Sequence, residues 1–136
     1  MVRPFLMFAG QAEEAMRFYV SLFADGRVVD IERYGPGQSG AEGSVKVARF
    51  SVAGQTVMCI DSPVKHGFTF TPAFSFFVDA ESEAELRRLA DALVEGGVAF
   101  MPLGNYGFSR LFTWVNDRFG VSWQLNLPLG RIAFQP

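Results

Sequence analysis

The side chains that could act chemically on a bound molecule are scarce in this chain. The 136-residue sequence contains one cysteine, Cys59, and one histidine, His66. A single histidine excludes any site within one chain that needs two imidazoles, which removes most zinc and non-haem iron arrangements. A single cysteine excludes an internal disulfide, so the fold does not depend on an oxidising compartment.

Cys59 lies in a predicted strand between two apolar residues. A cysteine in such surroundings usually behaves as an inert small side chain, because a nucleophilic thiolate needs a nearby cation or base. His66 and Arg110 are the candidates for that role, and both flank loops whose positions the sequence does not determine. We predict that Cys59 is a wall residue of a cleft and leave the roles of His66 and Arg110 open.

Polar and apolar residues alternate along the last predicted strand, at residues 121–127. Ser122, Gln124 and Asn126 share one face, and the other face is apolar, because successive side chains of a strand point to opposite sides. A polar face this regular lies either against solvent or in a cleft. We favour a cleft, with Gln124 as a hydrogen-bonding residue.

A glycine-rich segment at residues 35–40 matches the pattern of a dinucleotide-binding loop. Such a loop must open a helix, because the free amides and the dipole of the helix N-terminus bind the pyrophosphate. Residues 44–52 instead alternate like a strand, so we predict an ordinary loop.

The composition limits the possible partners. Hydrophobic residues make up 49% of the chain, aromatic residues 15% and charged residues 19%, and 15 residues are Phe. This apolar excess argues against disorder and indicates either a lined pocket or a buried subunit interface. With 12 Lys and Arg, 14 Asp and Glu and a formal net charge of −2, nothing in the balance favours binding to a nucleic acid, which requires clustered cations.

The N-terminal apolar run at residues 5–9 superficially resembles a signal peptide. The run is too short, and Glu13 and Glu14 follow where a cleavage site of small residues belongs. No stretch approaches the roughly 20 apolar residues of a membrane span. We therefore expect a cytoplasmic protein with no membrane partner.

Hydrophobic periodicity predicts the same order of elements in each half: strand, helix and three strands. The first half has strands at residues 5–9, 27–34, 44–52 and 56–61, and its helix ends at Gly26, which we predict to be a left-handed cap. The second half has strands at 74–78, 98–103, 111–115 and 121–127. Its helix opens with a capping box from Ser82 to Glu85.

Glycines recur at similar offsets in the two halves, which indicates a duplicated module. The helix-ending glycines Gly26 and Gly96 lie 70 positions apart, and the hairpin glycines Gly54 and Gly120 lie 66 apart. We predict an α+β fold in a single domain, residues 1–136, with module one at about 1–61 and module two at about 72–128.

Three segments carry a resemblance to a known family: residues 5–19, 101–103 and 117–123. They resemble the PhnB-like proteins of the glyoxalase, bleomycin-resistance and extradiol-dioxygenase superfamily, also called vicinal oxygen chelate proteins. The resemblance implies two βαβββ modules whose curved sheets enclose a cleft, usually in a homodimer. Some members carry a ubiquinone-methyltransferase name, which we discount because no strand, glycine loop and helix for a methyl donor is visible.

The resemblance also implies one divalent metal, held by His, Glu or Gln from the first and last strands of each module. Those positions fall on Pro4, Ala73, Cys59 and Gln124. Proline and alanine cannot ligate, and one thiolate with one neutral amide would leave the ion under-coordinated. We therefore expect no metal ligand set and no cofactor.

With the cleft placed by the resemblance, ten residues become candidate ligand contacts. The first strands contribute Leu6, Phe8, Ser75 and Phe77, and the last strands contribute Cys59, Asp61, Ser122, Gln124 and Asn126. Tyr106 lies in a glycine-containing loop with Phe108 and Arg110, which forms either a surface turn or a lid over an anionic ligand.

The function expected from this reasoning is metal-independent binding of an unidentified small molecule in an apolar, aromatic-lined cleft. One alternative is a lyase, isomerase or transferase acting on a small oxygenated substrate, with Asp61 or His66 moving a proton. A second is a dimeric scaffold whose apolar surplus serves the interface between two copies. The sequence determines neither the ligand nor whether the modules exchange between copies.

Overall fold

The computed structural model of the chain describes residues 1–130. The chain divides into two units, Met1–Thr69 and Phe70–Pro136, which contain module one and module two respectively. In the described residues, neither helix is long and apolar enough to cross a membrane. The assignment of both modules to a single domain stays a prediction.

Module one is a four-stranded sheet with one helix. Its strand order is β1-β4-β3-β2, with β1 parallel to β4 and the other pairs antiparallel. The elements in chain order are β1 (Phe5–Phe8), α1 (Ala12–Ser21), β2 (Arg27–Arg33), β3 (Val45–Val52) and β4 (Gln55–Asp61).

Helix α1 forms because small and apolar residues recur on one face, where Ala12, Ala15, Met16 and Tyr19 are all buried. The predicted left-handed cap at Gly26 is wrong: the helix ends at Ser21, and Gly26 does not have a positive φ. A Cβ at Gly26 would lie 2.0 Å from the carbonyl oxygen of Val20. Glycine is therefore required there by the close approach of two backbone segments, and not by a left-handed turn.

Module two repeats this topology. Its strand order is β5-β8-β7-β6, with β5 parallel to β8. The elements are β5 (Ser75–Asp79), α2 (Glu83–Val94), β6 (Val98–Gly104), β7 (Leu111–Asn116) and β8 (Ser122–Leu127). Together with module one, this architecture confirms the predicted α+β fold of two βαβββ modules.

The predicted N-terminal cap of α2 is confirmed. The Ser82 hydroxyl accepts a hydrogen bond from the Glu85 amide at 3.1 Å, and the Glu85 carboxylate accepts one from the Glu81 amide at 3.3 Å. Leu86, Leu89 and Leu93 are fully buried, and the helix packs on β7 and β8. These contacts position the last strand of the module.

Each sheet has a helix face, which packs against its own helix, and a far face on the opposite side. Cross-strand partners share a face, so the register defines both. The far face of module one carries Phe5, Met7, Asp30, Glu32, Val47, Arg49, Met58 and Ile60. The far face of module two carries Ser75, Phe77, Asp79, Phe112, Trp114, Asn116, Ser122, Gln124 and Asn126.

Candidate functional site

The far face of module two brings together five of the ten candidate residues. In the register of β5, β8 and β7, Phe77 lies beside Gln124, which lies beside Trp114. The neighbouring row joins Ser75 to Ser122. Asn126 lies in the next row on the other side of Gln124, where its side-chain amide donates to Asp79 at 2.9 Å.

Hydrogen bonds join three of these side chains and Trp114 into one connected group, which we call the polar row: Trp114, Ser122, Ser75 and Gln124. The indole Nε1 of Trp114 donates to Ser122 Oγ at 2.8 Å, and Ser122 Oγ lies 2.6 Å from Ser75 Oγ. The amide Nε2 of Gln124 donates to Ser75 Oγ at 3.3 Å. The row runs from the interior, where Ser122 is 1% exposed, to Ser75 and Gln124, which are half-buried.

Aromatic rings lie next to this polar row. Phe77 is 57% exposed, and its ring centroid lies 6.3 Å from that of Phe112. Phe108 packs edge-on against Phe112 at 4.9 Å, and Tyr106 stacks on Phe108 at 6.2 Å. Tyr106 also donates its hydroxyl hydrogen to the carbonyl oxygen of Pro102. Phe112 is therefore covered, whereas Phe77, Tyr106 and Phe108 are exposed.

The structure buries the other four candidates, Leu6, Phe8, Cys59 and Asp61, on the helix face of module one, where none is more than 5% exposed. Leu6 pairs with Cys59 and Phe8 with Asp61, so all four point towards α1. Their side chains therefore belong to the core of module one. Contact of these four residues with a ligand stays a prediction.

Asp61 has a structural task that accounts for its burial. Its Oδ1 accepts hydrogen bonds from the amides of Gly10 at 2.8 Å and Ala12 at 3.0 Å, and its Oδ2 accepts one from Val45 at 3.0 Å. The carboxylate therefore satisfies two free amides at the start of α1 and one at the start of β3.

Cys59 is fully buried, and this changes its chemistry. Burial, with a smaller contribution from the nearby carboxylate of Asp61, raises the pKa of the thiol to about 12. The side chain stays a neutral thiol at physiological pH, so it lacks the thiolate that a nucleophile or metal ligand needs.

The metal positions expected from the resemblance do not form a ligand set. Met58 follows Gly54 by four residues as Gln124 follows Gly120, and both lie on far faces, so Met58 and not Cys59 is the counterpart of Gln124. A thioether and a neutral amide do not fit a divalent cation. In residues 1–130 no three His, Cys, Asp or Glu side chains come together as a metal site.

His66 and Arg110 lie in loops of different modules. His66 Nε2 lies 2.9 Å from the hydroxyl of Ser62, and its ring stacks on Phe68 at 4.8 Å. The backbone amide of Arg110 donates to Leu127 at 2.9 Å, and its side chain is exposed. Neither position indicates activation of Cys59, which lies in the core.

The far face of module one has a different character. Arg49 forms an ion pair with Asp30, and a cavity of about 420 Å³ is lined by Arg3, Asp30, Ile31, Glu32, Val47, Arg49 and Met58. Sequence reasoning missed both this ion pair and Trp114. The alternation of side chains along each strand is visible in the sequence. The residue that lies opposite Arg49 or Trp114 on the neighbouring strand, however, depends on the cross-strand register.

Comparison with known proteins identifies similar sequences over most of the chain. The family model for 3-demethylubiquinone-9 3-methyltransferase matches residues 1–126. A PhnB protein from Bacillus cereus, which bears the same methyltransferase name, is 52% identical, with 93% of this chain and 98% of that chain covered and a TM-score of 0.91. A protein from Pseudomonas aeruginosa is 30% identical, with 94% and 97% covered and a TM-score of 0.83.

More distant structures share the fold alone. A glyoxylase/bleomycin resistance protein/dioxygenase domain from Frankia is 15% identical, with 94% of this chain and 96% of that chain covered and a TM-score of 0.64. No curated protein matches the sequence.

Proposed function

The chain belongs to the PhnB-like 3-demethylubiquinone-9 3-methyltransferase family, and from this premise we propose that it binds a small molecule on the far face of module two. The observation that carries the proposal is the polar row ending at Ser75 and Gln124 beside the exposed ring of Phe77. Ligand sites combine apolar surface with a few placed polar groups, and this face has both.

The two kinds of side chain contribute differently to binding. Covering the exposed part of the Phe77 ring removes apolar area from water at about 25 cal/mol per Å² and supplies affinity. Ser75 and Gln124 fix orientation, because their hydrogen bonds have defined directions. The residues needed for both effects lie in adjacent rows of one sheet.

Methyl transfer, which the family name mentions, is not part of the proposal. The glycine-rich segment at residues 35–40 leads into β3, as expected from the sequence, and not into a helix. The other glycine that joins a strand to a helix in module one is Gly10, and its amide is engaged by Asp61. The first segment opens no helix, and at the second the amides of Gly10 and Ala12 already bind the carboxylate of Asp61, so neither supports a site for a nucleotide-like methyl donor.

An enzyme that uses Asp61 or His66 to move a proton has less support. Asp61 is 4% exposed, and both of its oxygens already accept hydrogen bonds from the backbone. His66 is exposed in a loop and hydrogen-bonded to Ser62. A homodimer remains part of the proposal, as expected from the resemblance.

The test uses two matched phenylalanines. Phe5 on the far face of module one and Phe77 on that of module two are 54% and 57% exposed. We expect Phe77→Ala to weaken binding of the probe 2-acetylnaphthalene about tenfold, and Phe5→Ala to leave it unchanged. Titration calorimetry measures the affinities, and native mass spectrometry of freshly purified protein reports subunit number and any retained molecule. Equal losses in both variants, or no loss in Phe77→Ala, would contradict the proposal.

A further inference from the structure

The polar row of module two has two more polar hydrogens than it can use internally. Ser122 Oγ accepts the indole hydrogen of Trp114, and within residues 1–130 the acceptor in hydrogen-bond reach of its own hydroxyl is Ser75 Oγ. Ser122 is 1% exposed, so leaving its hydrogen unshared would strand a buried donor. Ser122 is therefore the donor in the bond between the two serines.

Ser75 Oγ consequently accepts two hydrogen bonds, one from Ser122 and one from the Gln124 amide. Both of its lone pairs are occupied, and its own hydroxyl hydrogen has no acceptor among the described residues. Gln124 uses one of its two amide hydrogens on Ser75 and keeps the other. Two free donors therefore lie side by side on half-buried residues at the edge of an aromatic surface.

We infer that this face selects aromatic ligands that present an uncharged hydrogen-bond acceptor, with aryl ketones as the class that fits. The inference rests on the proposed function and adds the chemistry of the ligand. A carbonyl oxygen has two lone pairs and can accept from Ser75 and Gln124 together, while the attached ring covers Phe77. An anion is less suitable, because Asp79 lies on the same face and its carboxylate accepts a hydrogen bond from the uncharged amide of Asn126, which leaves its negative charge in place.

Ser122 and Trp114 are positioning residues in this arrangement. They do not contact the ligand, but they supply the hydrogen that occupies Ser75 and so direct the Ser75 hydroxyl outwards. Hydrogen bonds in a chain polarise one another, so an acceptor bound at Ser75 changes the bond from Trp114 to Ser122. The indole hydrogen of Trp123 donates to Asp117 at 2.9 Å, outside the row, and serves as an internal reference.

The experiment compares two probes of the same shape. In 2-acetylnaphthalene the side group carries a carbonyl oxygen, and in 2-isopropenylnaphthalene a CH₂ group takes its place. We expect the ketone to bind about tenfold more tightly than the alkene, since it gains two net hydrogen bonds. In nuclear magnetic resonance spectra, the ketone is expected to shift the Trp114 indole resonance by more than the alkene does, and the Trp123 resonance is expected to stay in place.

Variants of the two donors sharpen the test. Ser75→Ala is expected to weaken ketone binding about fivefold and to leave alkene binding unchanged, whereas Ser75→Thr retains the hydroxyl and the preference. Gln124→Glu is expected to remove the preference altogether, because the carboxylate has no N–H and itself accepts the free hydroxyl of Ser75. Ser51→Ala, on the sheet of module one, is the control and is expected to change nothing.

The outcomes separate the two levels of the argument. If both probes bind wild-type protein equally, or if Ser75→Ala weakens both alike, the inference is overturned and the proposed binding face stands. If neither probe binds, or if Phe77→Ala has no effect on either, the proposed function fails and the inference fails with it.

Discussion

The far faces of the two modules differ in chemistry although their backbones repeat the same topology. At matched positions after the hairpin glycines, module one has Met58 and module two has Gln124. Beside Met58 lies the ion pair of Arg49 and Asp30, whereas beside Gln124 lie the rings of Phe77 and Trp114. The duplicated backbone therefore fixes where a side chain points, and the residue type decides which far face carries uncharged hydrogen-bond donors beside aromatic rings.

The modules also differ in where a buried carboxylate holds the chain. In module one it is Asp61 at the end of β4, which binds the starts of α1 and β3. In module two it is Asp117 in the turn before β8, which accepts from the amides of Phe119 and Val121 and from the indole of Trp123. The last strand of module two ends at Leu127 and contains no buried carboxylate that could accept hydrogen bonds from the start of the helix.

The largest expected effect concerns the two faces of β4. With the thiol pKa of Cys59 raised from 9.0 to about 12, the thiolate fraction at pH 8 falls roughly a thousandfold, and alkylation slows by at least that factor. Met58→Cys combined with Cys59→Ala moves the thiol to the far face and is expected to restore rapid reaction. Iodoacetamide labelling followed by mass spectrometry measures both rates.

Similar labelling rates for the two thiols would show that Cys59 is not enclosed by the helix face.

The raised pKa of Cys59 also has a consequence for stability. The folded state keeps the thiol proton that the unfolded chain loses above pH 9. The contribution of the protonated Cys59 thiol to the free energy of unfolding is therefore complete below pH 9 and is lost as the pH rises towards 12.

The next largest effect tests the buried carboxylate of module one. Asp61→Ala leaves three backbone amides without acceptors and is expected to lower the free energy of unfolding by about 3 kcal/mol. Asp25→Ala is the control within the same module, because Asp25 accepts from the amides of Ala53 and Gly54 in an exposed turn. That variant is expected to cost less than about 1 kcal/mol.

Urea unfolding measures the size of each effect, and hydrogen exchange shows where it acts. Faster exchange at Gly10, Ala12 and Val45 in Asp61→Ala is the expected result, because those amides lose their acceptor. Equal losses of stability in the Asp61 and Asp25 variants would remove the distinction between a buried and an exposed carboxylate.

The smallest effect compares the helix surfaces. Glu13 of α1 pairs with Arg33 of β2 and with Arg17, and these contacts, chiefly the hydrogen bond to Arg33, lower its pKa to about 2. Glu13→Gln is expected to cost about 0.5 kcal/mol, because the pair is largely solvated. Glu83→Gln in α2 is expected to cost less, since Glu83 pairs only with Arg87 of its own helix among the described contacts.

The pH dependence of Glu13 has a definite sign. A carboxyl with a lowered pKa contributes its full stability above 4.5, and this contribution is lost as the pH falls towards 2. The stability difference between wild type and Glu13→Gln in urea unfolding is therefore expected to shrink over that range. A difference that stays constant on acidification would show that the ion pair has no effect on stability.

Prediction from the sequence succeeded where the determinant is local. Periodic apolar residues identified both helices, and the Ser82 cap followed from residue types three positions apart. The repeat of glycines identified the duplication, and alternation along the last strand correctly placed Ser122, Gln124 and Asn126 on one face. These features depend on the chain's own spacing over a few residues, which the tertiary structure leaves unchanged.

Prediction failed where one residue of register matters. Counting placed Cys59 at the position that Met58 occupies, and a shift of one residue in a strand moves every side chain to the opposite face. The irregular pairing between β2 and β3, with shifts at Val28/Asp30 and Glu32/Arg33, has no local sequence pattern that we could identify. Gly26 failed for a related reason, because its requirement comes from the carbonyl group of Val20.

The amino-acid sequence by itself determined the two βαβββ modules, the N-terminal cap of α2, the hairpin turns and the low number of metal-ligating side chains, since each depends on composition or on neighbours along the chain. Only the tertiary structure decided that the Asp61 carboxylate accepts hydrogen bonds from three backbone amides. It also decided that hydrogen bonds join the four side chains of the polar row: Trp114, Ser122, Ser75 and Gln124. A hydrogen bond between strands is lost when the donor and acceptor shift apart by a few tenths of an ångström. These distances are therefore set only once the strands have paired in their final register.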